Sequence, residues 1–163
     1  MGRRLIGMLR PFVQWLSATD AFARIAPGIV PGMDQAAHRL TRGRVVLSDQ
    51  MLPTLILTTT GSKSGEPRVA PVSCLPEEDG GFLLVGSNFG RPNHPAWSGN
   101  LIATPEATVS FRGRVSPVTG RLLTGDERAD AWARLVGAWP VYERYTERAG
   151  DRELRVFRLS PRR

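Results

Sequence analysis

The 163-residue chain is predicted to be an α+β protein whose strands close into a small antiparallel barrel. Short β-branched runs are joined in pairs by tight glycine turns, not by helical crossovers, which selects antiparallel pairing. An apolar share of 41% supports one packed core, and the length suits a single domain. Helical spacing near the N-terminus and a punctuated stretch after residue 123 supply the α part.

The opening residues, 1–26, differ in character from the rest of the chain. Leu5, Met8, Leu9, Phe12 and Leu16 recur at helical spacing, Val13 and Trp15 widen the apolar face, and Arg3, Arg4 and Arg10 add charge. Such a helix over residues 3–16 either packs on the domain's own core or lies at a membrane surface. Pro11 kinks it, because the ring removes an N–H. Ala26–Met33 is a Pro/Gly-rich connector, so residues 1–32 are set apart from a domain over 33–163.

Asp34–Leu40 reads as a short helix ending near Gly43. Thr54–Thr60 and Pro67–Leu75 read as strands paired across the Gly61–Gly65 turn. Glu77–Gly80 is a solvated acidic turn before a strand over Gly81–Ser87. The loop Asn88–Pro95 precedes a helix capped by Asn93, with Pro95 in its first turn and Trp97, Leu101 and Ile102 facing inward. Pro105 ends that helix, and Ala107–Phe111 pairs with Arg114–Arg121 about Gly113. Thr124-Gly-Asp-Glu127 is a capping box opening a helix with Ala129, Trp132, Leu135 and Val136 on its buried stripe. After Pro140 a short helix carries Tyr142 and Tyr145 on one face, and Glu153–Leu159 is the closing strand.

Bulk chemistry narrows the function. The net charge of +7 favours an anionic partner, whether nucleic acid, an acidic membrane or a phosphorylated cofactor. The arginines are scattered and do not alternate with stacking aromatics, which argues against nucleic acid. One cysteine, Cys74, allows no internal disulfide and reads as a small buried hydrophobe. His38 and His94 are too few and too far apart for a metal site. No apolar run reaches the roughly 18 residues of a spanning helix, and no cleavable leader is evident, so the cytoplasm is the expected compartment. Phosphate-loop, dinucleotide and nucleophile-elbow motifs are missing.

What remains is the segment L-T-T-T-G-S-K-S-G-E-P-R at Leu57–Arg68. Lys63, the single lysine among 22 cationic residues, sits at the tip of its Gly/Ser turn. Amides freed by Gly61 and Gly65, the hydroxyls of Ser62 and Ser64, and the charges of Lys63 and Arg68 form either an anion cradle or a plain basic hairpin turn. Ser87–Gly90 and Trp97 could line a planar ring, and Trp139, Tyr142 and Tyr145 an apolar substrate. Core packing is the competing role for each aromatic.

Taken with S-N-F-G-R-P-N-H-P-A-W-S-G-N-L, T-P-E-A-T-V, L-T-G-D-E-R and W-P-V-Y-E-R-Y in order, that segment resembles the deazaflavin (F420)-dependent nitroreductase family over Leu52–Leu159. The resemblance implies a split β-barrel like those that bind flavin mononucleotide, and reduced F420 as a hydride donor to quinones or nitroaromatics. It places Ser62, Lys63, Ser64, Gly65 and Arg68 on the phosphate and glutamate tail. It sets Ser87, Asn88, Phe89 and Gly90 against the ring, with His94, Pro95 and Trp97 beside them. Trp139, Tyr142 and Tyr145 fall on the acceptor side, with Ser87, Tyr142 and Tyr145 as the donors that would meet charge on the acceptor. Peripheral contact of residues 3–16 with the inner face of the cell membrane is a further implication, since quinones dissolve in the bilayer.

The chain departs from the family pattern at five positions. Ser62 stands where arginine is common, Asn88 where lysine or glycine is, Phe89 where glycine is, and Ser98 and Trp139 where tyrosines are. A non-catalytic F420 or flavin carrier is the alternative reading.

Overall fold

The structure, a computed structural model, describes residues 52–162 together with Thr19 and Ala21. The helix expected over residues 3–16, the connector, the boundary at residue 32 and the helix at Asp34–Leu40 lie outside the described residues. Within them, the order is β1 (Thr54–Thr60), β2 (Pro67–Pro76), β3 (Phe82–Gly86), a 3₁₀ turn (Asn88–Gly90), α1 (Ala96–Ala103), β4 (Glu106–Phe111) and β5 (Arg114–Leu122), followed by α2 (Gly125–Ala138), α3 (Val141–Ala149) and β6 (Arg155–Pro161).

All pairings are antiparallel, and the six strands close into the expected barrel in the order β1-β2-β3-β6-β5-β4. Local chemistry fixes the hairpins. Phe111 pairs with Arg114, leaving Arg112 and Gly113 as a two-residue turn with φ of 49° and 80°. That left-handed pair matches the natural twist of the flanking strands. Between β1 and β2 the longer turn is closed by Gly61 N–H to Glu66 O and Gly65 N–H to Gly61 O, each 2.8 Å.

β3 is apolar on both faces, and β6 is so at Val156, Phe157 and Leu159, because both faces are covered there. Phe82, Leu84, Phe157 and Leu159 point into the barrel with Leu55, Leu57, Cys74 and Val109, and Trp97 and Leu101 of α1 plug it. Leu83, Val85 and Val156 point outward and pack with Leu135, Trp139, Tyr142 and Tyr145 of the α2–α3 region. Gly120 lets α1 approach the sheet, since a Cβ there would stand 3.0 Å from Leu101 Cδ2.

Five local expectations are corrected. Ile102 is exposed, because the barrel accepts only the Trp97 and Leu101 side of α1. On α2 the buried residues are Ala131 and Leu135, with Trp132 and Val136 half-buried and Ala129 outside. Thr124 stands at the N-cap but its hydroxyl makes no cap bond. Gly125 after it is left-handed (φ 56°), and Glu127 is drawn away to the Arg121 guanidinium. Asn93 does not cap α1. Pro95, with extended ψ of 140°, is itself the N-cap, and its carbonyl accepts from Ser98 N–H. Nor is the acidic turn simply solvated: Glu77 is bound by Arg134 and Arg158 at 2.8 and 2.9 Å, with its side chain only 7% exposed.

Tyr142 and Tyr145 are buried, and burial holds the Tyr142 phenol far above its ordinary range and pushes that of Tyr145 up to about 12. An unfolded chain ionises its tyrosines near pH 10. Between those limits the folded state retains protons that the unfolded state has lost, so stability falls as pH rises through that window and is unaffected below it. These are the chain's only two tyrosines. Near-ultraviolet titration of the native protein should therefore show no tyrosinate step near pH 10, and a normal step there would contradict the packing.

Candidate active site

The β1–β2 turn is anchored by a buried amide. Asn100 on α1 is 6% exposed. Its Oδ1 accepts from the Ser62 backbone N–H at 3.0 Å, and its Nδ2 donates to Thr59 Oγ1 at 3.0 Å. One side chain thus ties the helix to the end of β1 and to the turn beyond. Within the turn, Ser64 Oγ accepts from Glu66 N–H and from Arg68 Nη2, both at 3.2 Å, which sets the Arg68 guanidinium beside the hydroxyl.

These residues form one wall of an open cavity of about 830 Å³. Ser62, Lys63, Ser64 and Arg68 line it, as do Pro95, Trp97, Gly99 and Asn100 of the α1 region and His94 and Arg155. Of the residues singled out in the sequence, the structure brings together Ser62, Lys63, Ser64, Arg68, His94, Pro95 and Trp97. Gly65 (φ 70°) shapes the turn behind them, outside the lining.

Ser87, Asn88, Phe89 and Gly90 do not line this cavity. They form the turn after β3, which is pinned by arginines from α3 and the loop beyond it. Arg152 donates to the carbonyls of Gly86, Ser87 and Arg91 at 3.1, 2.7 and 2.8 Å, and Arg148 donates to Phe89 O at 3.0 Å. Asn88 and Phe89 are left-handed, with φ of 45° and 56°. That is a conformation glycine adopts without strain. The Phe89 ring packs edge-on to Tyr145 at 6.0 Å. Gly90 admits no side chain, since a Cβ would lie 2.7 Å from Tyr145 O. Trp139, Tyr142 and Tyr145 are buried together behind this turn and are absent from the cavity wall.

Three contributors escape a reading of the sequence: Asn100, Arg152 and Arg155. Asn100 carries a signal, a polar amide amid the apolar residues of a short helix. The arginines carry none, because their roles depend on which strands become neighbours. Arg155 Nη1 donates to Ser98 Oγ at 3.1 Å, and Ser98 Oγ donates to Pro95 O at 2.8 Å. Ser98 therefore fixes a cation at the cavity wall.

His94 is half-buried, and its Nδ1 lies 3.4 Å from Arg152 Nη1. A guanidinium only donates, so Nδ1 accepts and the hydrogen of the neutral ring sits on Nε2. Burial, followed by the charges of Arg155 and Arg152, depresses the imidazolium pKa and keeps the ring neutral near pH 7.

A family model described as F420H(2)-dependent quinone reductase matches residues 33–161. The chain is 31% identical to Rv3178 of Mycobacterium tuberculosis, named for that activity, over 114 residues, 68% of this chain and 92% of that protein. It is 33% identical to the F420H(2)-dependent quinone reductase Rv1261c of the same species over 90 residues, 55% of this chain and 60% of that one. Among solved structures, an F420-H2 dependent reductase (FDR-A) aligns with a TM-score of 0.60 at 38% identity, over 66% of this chain and 94% of that one. A domain-swapped dimer aligns at 0.62 and 34%, over 77% and 95%. The chain therefore belongs to the F420H2-dependent quinone reductase family.

Proposed function

We propose that the chain reduces a quinone with F420H2, and that the cavity between the β1–β2 turn and α1 is the cofactor's seat. The observation that carries this reading is the convergence of Lys63, Arg68, Ser62 and Ser64 on a cavity also lined by Pro95, Trp97 and His94.

The donor set fits the group. A phosphodiester and a glutamate tail call for cations and hydroxyls on one side, and a planar deazaflavin calls for a flat apolar wall. Lys63 and Arg68 supply the charge, while Pro95 and Trp97 supply the wall. Gly99 leaves space, since a Cβ built there meets nothing within 4 Å.

Bound in its reduced form, F420 supplies a hydride. The protein's own residues bind, orient and exclude water. Asn100 sets the Ser62 N–H and the turn before any ligand arrives, so less ordering is left for binding to cost. Arg155, held by Ser98, keeps positive charge at the wall next to neutral His94, where an acceptor gaining electrons would be stabilised. Tyr142 and Tyr145 serve in this reading as the packed support of the Ser87–Gly90 turn.

Titrating the full chain with F420 and monitoring quenching of cofactor fluorescence should show saturable binding. Lys63→Ala should weaken it by about tenfold, close to one charge-assisted contact. The gap should narrow at high salt, because Lys63 is exposed to screening ions. A wild-type chain that neither binds F420 nor accelerates menadione reduction by F420H2 would end this reading. Asn100→Ala should cost about 2 kcal/mol in denaturant unfolding, because Ser62 N–H and Thr59 lose a buried partner. It should also raise the F420 Kd, and an unchanged unfolding midpoint would show that the amide is not a structural tie.

A further inference from the structure

A second cavity, of about 450 Å³, opens between the end of β5, the start of α2 and the segment leading into β6. Two residues line both cavities, His94 and Arg155. Donor and acceptor of a hydride must come within about 3.5 Å of each other, so an acceptor site has to adjoin the cofactor's. This cavity adjoins the first at those two residues.

Its lining is chemically divided. Leu122, Leu123 and Leu154 make it apolar, and its volume is ordinary for a small-molecule site. Its other side is charged: Arg128 is matched by Glu153 at 2.9 Å, Arg152 donates to backbone carbonyls, and Asp151 adds a carboxylate. Arg155 is committed through Nη1 to Ser98, and it has no acidic partner among the described residues. An apolar floor with two guanidinium groups, Arg152 and Arg155, that pair with no carboxylate among the described residues, beside a neutral imidazole N–H, suits a flat, uncharged ring whose oxygens become negative on reduction. It suits a tail of carboxylates less well.

We propose that this second cavity receives the quinone, a one- or two-ring aromatic, resting on Leu122, Leu123 and Leu154 with an oxygen toward Arg155 and His94. The proposal rests on the cofactor seat argued above. The quinone takes up one hydride, then one proton, and leaves as the hydroquinone. The two electrons and two hydrogens it gains are those that F420H2 loses in becoming F420. Arg155 faces the oxygen that carries negative charge between the two events.

The test uses the full chain with leucine methyl labels and menadione as probe, first without cofactor. Methyl shifts should centre on Leu122, Leu123 and Leu154. Leu122 is 37% exposed and Thr124 is exposed, so Leu122→Trp and Thr124→Trp should narrow the mouth without disturbing the core. Each should raise the menadione Kd and the KM by about tenfold while the F420 Kd stays within about twofold. Shifts centred elsewhere would overturn the assignment. So would Trp variants that weaken F420 and menadione alike, which would make the cavity part of the cofactor seat. Failure of the wild-type chain to bind F420 strikes the cofactor reading instead, because the methyl shifts are measured without it.

Discussion

The cavity's shape depends on one buried amide. Asn100 sits at the junction of α1, the end of β1 and the turn beyond it, and it satisfies a backbone N–H and a threonine hydroxyl together. In a site almost cut off from water, unpaired polar groups are costly, so helix and turn are held in one relative position. Lys63 and Arg68 are displayed by that turn, and Pro95 and Trp97 come from the same helix region. The two halves of the cavity are thereby related by hydrogen bonds that exist before any ligand does. An apolar residue at position 100 could fill space there but would leave the turn free to choose another shape.

The basicity of the described residues looks different once their arginines are located. Arg121, Arg128, Arg134 and Arg158 are matched to carboxylates, and Arg148 and Arg152 are spent on carbonyls. An exposed pair such as Arg121–Glu127 contributes little to stability by itself. Such pairs do neutralise charge that would otherwise compete for anions, and Lys63, Arg68 and Arg155 are the cations lining the cavity beside the β1–β2 turn. The choice of arginine for the carbonyl contacts also has a reason. One planar guanidinium can donate to three backbone oxygens around a turn, which an ammonium on a flexible stem does less rigidly.

Much of the barrel is legible in the sequence because hairpin strands announce themselves locally. Residues 54–60 and 67–76 alternate or run apolar up to a glycine turn, and Arg112-Gly113 forces a tight reversal. Closure is less so: β3 pairs with β6 across more than seventy residues, a pairing visible only as two strands with apolar residues on both faces. Two of the corrected expectations share a cause: the Thr124 capping box and the Glu77 turn rest on neighbours in sequence, and each loses its carboxylate to arginines of other elements. Glu127 goes to Arg121 and Glu77 to Arg134 and Arg158. In the site, the loop cradle is visible as composition, whereas Arg155 and the Asn100 bridges arise from contacts between distant segments.

The turn at Ser87–Gly90 shows how a departure from the family pattern is accommodated. A left-handed non-glycine residue costs roughly 1–2 kcal/mol, and two in succession would ordinarily be replaced by glycine. Here the surroundings over-determine the strained shape. Asn88 Nδ2 donates to Asn93 O at 2.8 Å, Arg148 and Arg152 hold the carbonyls of Ser87, Phe89 and their neighbours, and the Phe89 ring packs on Tyr145. Arg152 also reaches Nδ1 of His94, which joins this turn to the wall shared by both cavities. The buried tyrosines therefore act on the site at one remove. Loosening their packing would free Phe89, then the carbonyls held by the arginines, and finally the orientation of the histidine that lines both cavities.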